Sequence, residues 1–74
     1  MCGIYGTVGQ TGAVEATVSA LEFLEYRGYD SAGVAYVGDG KIEISKTVGR
    51  VQKLREQLVP APSATVAIGH TRWA

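Results

Sequence analysis

The sequence predicts an α+β domain with the element order β-α-β-β-α-β, and three observations predict it. Two segments carry apolar residues at helical spacing, four carry the alternation or β-branched enrichment of strands, and glycine or proline stands at most junctions. The chain has 74 residues, 46% of them hydrophobic. A domain of that size buries only about 60% of its unfolded surface, which bounds the chain to one domain or part of one.

The first strand is expected over 4–8, where Ile4, Tyr5, Thr7 and Val8 are β-branched or aromatic and glycines stand on either side. Gly3, Gly6, Gly9 and Gly12 recur every third residue without proline, and their spacing is not that of a dinucleotide fingerprint, so they read as backbone freedom and close packing. Over 13–26, Val14, Val18, Leu21 and Leu24 repeat at helical spacing while Glu15, Glu22 and Glu25 take the other faces. This is an amphipathic helix lying on a sheet. Gly28 stands where a left-handed C-terminal cap belongs, and Arg27 in the last turn complements the helix dipole.

Strands are expected over 31–37 and 41–47, the second with Ile42 and Ile44 alternating against Glu43 and Ser45. Gly38-Asp39-Gly40 between them signals a hairpin. Val48, Val51, Leu54 or Arg55, and Leu58 then mark a short second helix, despite Gly49, and Pro60-Ala61-Pro62 ends it. A last strand over 64–69 carries His70, Thr71, Arg72 and Trp73 off its end. The bare element string is also that of a ferredoxin-like split unit, so pattern alone leaves that fold open.

Seven basic and seven acidic residues cancel, so there is no electrostatic footprint for nucleic acid or an anionic membrane surface. One cysteine excludes an internal disulfide and, with no His/Cys cluster, argues against a structural metal site. The chain shows neither a secretory leader nor an apolar run of about 18 residues, and a cytoplasmic protein is expected.

The cysteine is Cys2. Removal of Met1 would place a thiol and a free α-amine on one residue, and their ordinary pKa values, about 8.5 and about 7.7–8.0, allow local proton exchange near neutrality. Such a residue is a nucleophile carrying its own base.

Three blocks surround that chemistry: Met1-Cys2-Gly3-Ile4-Tyr5-Gly6, Leu24-Glu25-Tyr26-Arg27-Gly28-Tyr29-Asp30-Ser31-Ala32-Gly33, and Gly69-His70-Thr71-Arg72-Trp73-Ala74. Together they resemble the class II glutamine amidotransferases, N-terminal nucleophile hydrolases that release ammonia from glutamine. The resemblance spans nearly the whole chain, although 38–64 carries little of it. Tyr26 and Tyr29 in the middle block and the later Trp73 resemble the hexosamine-forming branch, rather than amidophosphoribosyltransferases, which typically read His-Arg-Gly-Gln-Asp-Ser there.

The resemblance implies that residues 1–74 are the N-terminal fragment of a glutamine amidotransferase domain, a partial αββα sandwich. It implies Cys2 as the catalytic nucleophile, Arg72 as the clamp for the glutamine α-carboxylate, Arg27 and Gly28 as lining of the cysteine pocket, and Trp73 as the border of the ammonia exit. Arg27 as a helix cap and Trp73 as a core residue stay open beside those roles. Asp30 or Ser31 is expected to hold the adjoining turn through its side chain. His70 receives no base role and is expected to be a hydrogen-bonded structural residue. An Asn-Gly oxyanion pair and an acidic anchor for the glutamine amino group are implied beyond Ala74, so the 74 residues alone are expected to be inactive.

The longer protein is expected to be a homo-oligomer that aminates fructose 6-phosphate to glucosamine 6-phosphate without metal or organic cofactor. L-Glutamine is the partner expected at this chain, the sugar phosphate only at a further domain. The alternatives are an amidophosphoribosyltransferase-type enzyme and a non-catalytic ferredoxin-like interaction domain with an incidental Cys2.

Overall fold

The computed structural model describes residues 2–25, 30–38, 40–61 and 63–72. Strand β1 (Gly3–Val8) leads into helix α1 (Ala13–Leu24), followed by β2 (Ser31–Gly38), β3 (Lys41–Val48), helix α2 (Val51–Gln57) and β4 (Val66–Arg72). The expected order of elements is the observed one. β4 inserts between β1 and β2, so the sheet order is β1-β4-β2-β3, with each neighbouring pair antiparallel. A ferredoxin-like sheet made from the same string sets its first and third strands side by side in the centre. Here β1 and β3 are the two edges, which overturns that alternative.

Both helices lie on one face of the sheet, α1 against β4 and β1, α2 against β3 and β2, and they touch each other. Val14, Val18 and Leu21 of α1 and Val51 and Leu54 of α2 meet Ala32, Val34 and Ala67 of the central strands in the core. Small residues under α1 set how close it sits. A Cβ built on Gly69 would lie 2.8 Å from Thr17 Cγ2 and 2.9 Å from Leu21 Cδ1, so only glycine allows this approach of helix to strand. The helices are also joined at the surface by Arg55, whose Nη1 donates to both Glu15 oxygens at 2.7 Å while Nη2 donates to Glu22 Oε1 at 2.8 Å.

Several strand ends differ from expectation by a residue or two, and three boundaries bear on the site. α1 stops at Leu24 with Glu25 as its C-cap, and the proposed Gly28 cap lies outside the described residues. α2 begins only at Val51, because β3 runs on to Val48 and Gly49 turns the chain with a φ of 113°. β4 continues to Arg72 because its backbone finds partners on both sides, β1 through Thr71 and β2 through Arg72.

The other face of the sheet carries no layer among the described residues, yet it is apolar. Ile4, Val8, Ile42, Ile44, Val48 and Ile68 are 60–82% exposed there. A sheet apolar on both faces asks for a layer on each. One helix layer and one sheet layer make half of an αββα sandwich, in which two such sheets face each other.

Candidate active site

The three sequence blocks meet at one end of the sheet. β1 and β2 both run antiparallel to β4 between them, so the start of β1, the start of β2 and the end of β4 coincide. Gly3 pairs with Thr71, and Ser31 pairs with Arg72. The same register carried one step past the Gly3–Thr71 pair would set Cys2 opposite Arg72.

Alternation sets the face. A Cβ on Gly3 would lie 2.9 Å from Leu24 Cδ1, so position 3 faces α1, whereas Ile4 is 82% exposed on the open side. Cys2 and Arg72 therefore belong to the row on the open face. Both are exposed, and the cysteine is a free thiol. Positions directly opposite on antiparallel strands have Cβ atoms about 4.5–5.5 Å apart, close enough for one small ligand to touch both side chains.

The middle block arrives at the same end. Glu25 closes α1 and its Oε2 accepts the Val51 N–H at 2.7 Å; the Asp30 carbonyl accepts the Gly49 N–H, also at 2.7 Å. The turn that the side chain of Asp30 or Ser31 is expected to hold lies outside the described residues. Arg27 and Gly28 lie between these two anchored ends, outside the described residues, as does Trp73, which follows Arg72.

His70 stands one row further along β4, paired with Ile4 on one side and Gly33 on the other. It is exposed, and its Nε2 would lie 2.7 Å from a Cβ built on Gly33. The ring thus covers the glycine backbone of β2, on the side of β4 away from the strand that carries Cys2. This geometry offers no Cys-His dyad. Nor is the ring hydrogen-bonded among the described residues, contrary to the expected structural role, since its place is on the open face and not in the core.

Among the described residues, an ionic network joins the two helices. Hydrogen bonds from Arg55 hold the Glu15 carboxyl below its ordinary value, and the Glu22 and Glu15 carboxylates raise the Arg55 guanidinium. Among the described residues no group of three or more His, Cys, Asp or Glu side chains could hold a metal ion, and no helix is long and apolar enough to cross a membrane.

No family model matches the chain. Over all 74 residues it is 53% identical to the glutamine–fructose-6-phosphate aminotransferase [isomerizing] of Streptococcus agalactiae serotype III and 49% identical to that of Oceanobacillus iheyensis. It is 48% identical to that of Corynebacterium diphtheriae over an 83-residue alignment. The chain is similar to the N-terminal part of these aminotransferases, at about half identity along its whole length. It spans 12–13% of the length of these relatives. An amidophosphoribosyltransferase identity is not favoured.

Two residues that organise the surroundings of this sheet end carry no local sequence signal. Arg55 was weighed only as a possible apolar position of α2, yet Leu54 is the buried one and Arg55 clamps α1. Glu25 was read as a solvent-facing member of α1. Its partner Val51 is 26 residues away, a separation that leaves no local pattern to read.

Proposed function

We propose that this chain carries the nucleophile of a glutaminase site, which in a longer protein releases ammonia to convert fructose 6-phosphate to glucosamine 6-phosphate. The observation that carries the reading is the meeting of Cys2, the start of β2 and Arg72 at one end of the sheet, in a chain about half identical to the named aminotransferases.

After removal of Met1, the α-amine of Cys2 takes the thiol proton, directly or through a water. The thiolate attacks the side-chain amide carbon of glutamine and forms a carbon–sulfur bond. As the tetrahedral species collapses, the carbon–nitrogen bond breaks, and the proton held by the amine goes to the departing nitrogen as ammonia. Water then hydrolyses the γ-glutamyl thioester, giving glutamate and the free thiol. No step calls for a metal or an organic cofactor.

Arg72 holds the α-carboxylate of glutamine, since a planar guanidinium offers the two parallel hydrogen bonds that a carboxylate accepts. Arg27 and Gly28 line the cysteine pocket, and Trp73 separates the ammonia from bulk water. The sugar phosphate is bound by a part of the protein beyond these residues, and the whole acts in the cytoplasm as a homo-oligomer.

Replacing Cys2 in the full-length protein tests the reading. Cys2→Ala is expected to abolish glutamine-dependent amination while leaving synthesis from added ammonia intact. Purified Cys2→Ala protein that still hydrolyses glutamine beyond a trace would sink the assignment.

A further inference from the structure

We propose that Ser31 is a further substrate-binding residue, whose hydroxyl donates a hydrogen bond to the α-carboxylate of the glutamine held by Arg72. The proposal rests on the glutaminase reading and deepens it, because it names a second group at the far end of the substrate.

Alternation and register place Ser31. Ala32 and Val34 are 1% and 2% exposed, so they are the residues of β2 that face the helices, and positions 31 and 33 belong to the open face. Position 33 is fixed there independently, since a Cβ on Gly33 would meet the side chains of His70 and Lys46, both exposed residues of the neighbouring strands. Ser31 pairs with Arg72 on one side and with Val48 on the other. From β1 to β3, the row at this end of the open face therefore reads Cys2, Arg72, Ser31, Val48, with Cys2 set by the register carried on from Gly3.

The span of glutamine fits this row. Neighbouring strands lie about 4.8 Å apart, so Cys2 and Ser31 flank Arg72 at about one strand spacing each. The amide carbon and the α-carboxyl carbon of glutamine are four carbon–carbon bonds apart, about 5 Å when extended. With the amide carbon at the Cys2 thiol and Arg72 on the strand between, the carboxylate lies over β4 and Ser31 stands on its far side.

The groups are also available. Among the described residues Arg72 makes no ion pair and the Ser31 hydroxyl has no hydrogen-bond partner. The Ser31 main chain is paired on both sides, so the strand does not need the side chain to hold it. A carboxylate offers about four acceptor sites, of which a bidentate guanidinium fills two, and a hydroxyl beside it fills a third. Val48, next in the row, is apolar and 77% exposed, so the polar part of the row ends at Ser31.

The test uses the full-length protein. Ser31→Ala is expected to lower glutamine kcat/KM by roughly tenfold, mainly through KM, while synthesis from added ammonia is unchanged. Ser31→Thr keeps the hydroxyl on a residue that suits a strand and recovers most of the loss. Covalent labelling of Cys2 supplies a readout that a merely structural role would not split. An electrophilic glutamine analogue that retains the α-carboxylate should label Ser31→Ala roughly tenfold more slowly than wild type, whereas iodoacetamide, which has no carboxylate, should label both at the same rate.

Unchanged glutamine kcat/KM in Ser31→Ala overturns the proposal. So do equal losses with glutamine and with ammonia, equal slowing of both labels, or a Ser31→Thr protein as impaired as Ser31→Ala. Failure of the glutaminase reading has a different signature, namely wild-type protein that does not hydrolyse glutamine or Cys2→Ala protein that does.

Discussion

Two glycines on the central strands have nearly equal contacts with an added methyl group and should respond oppositely to it. A Cβ on Gly69 would meet Thr17 Cγ2 at 2.8 Å, Leu21 Cδ1 at 2.9 Å and the Gly33 carbonyl at 3.2 Å. A Cβ on Gly33 would meet His70 Nε2 at 2.7 Å and Lys46 Cγ at 3.2 Å. By distance alone Gly33→Ala is the worse substitution. Mobility reverses the order. Thr17 and Leu21 are fully buried, and no rotation clears the space, so α1 itself must shift. His70 and Lys46 are exposed on the open face and can swing away.

Overpacking a filled core costs about 1–3 kcal/mol. Against this, alanine in a strand regains roughly 0.5–1 kcal/mol of backbone entropy relative to glycine. Gly69→Ala should therefore destabilise by about 1–2 kcal/mol net, and Gly33→Ala should lie between neutral and about 0.5 kcal/mol stabilising. Urea unfolding of the 74-residue chain, followed by circular dichroism at constant m-value, reads both. A Gly33→Ala loss equal to or larger than that of Gly69→Ala would refute the assignment of the two faces.

Thr17 is buried with a hydroxyl that has no hydrogen-bond partner among the described residues, so Thr17→Val should raise stability by about 1 kcal/mol in the same urea experiment. The Arg55 clamp is exposed at Glu15 and should contribute only about 0.2–1 kcal/mol, measured as the loss in Arg55→Met and diminishing in high salt. Its pH dependence follows from Glu15, whose folded carboxyl lies below its ordinary 4.5: the contribution is complete above that value and fades as pH falls through the lowered one, so acid titration of wild type and Arg55→Met should converge. In the longer protein, Arg72→Lys keeps the charge but loses the paired geometry. It should reduce glutamine kcat/KM by roughly 30- to 150-fold, equivalent to about 2–3 kcal/mol, with ammonia-dependent synthesis largely spared. Blocking removal of Met1 moves the free amine one residue away, about 3.8 Å along the chain, and should silence glutamine hydrolysis with Cys2 intact; mass spectrometry paired with turnover decides it.

Elements were legible wherever burial follows a local period. The stripe Val14, Val18, Leu21 made α1 readable, and the hairpin register, with Gly38 paired to Lys41, follows from Gly38-Asp39-Gly40. Ends were less legible. Nothing in His70-Thr71-Arg72 announces a strand, and these residues became one because β1 and β2 both offered backbone partners. Of the candidate site, Cys2 and Arg72 were found through motif blocks, and their common face follows from strand alternation once the register is known. Glu25 and Arg55 escaped because their partners lie 26 to 40 residues away.

By itself the sequence determined the order of helices and strands, the faces of α1, the kinship with the aminotransferases and the presence of a second-position thiol. These are properties of residue type and short spacing. Only the tertiary structure decided that β4 runs between β1 and β2, and with it that Cys2, the start of β2 and Arg72 share one end of one face. The reason is physical: a strand's alternation says which side chains point together but not which neighbour its backbone will pair with. That choice is made by the whole sheet at once.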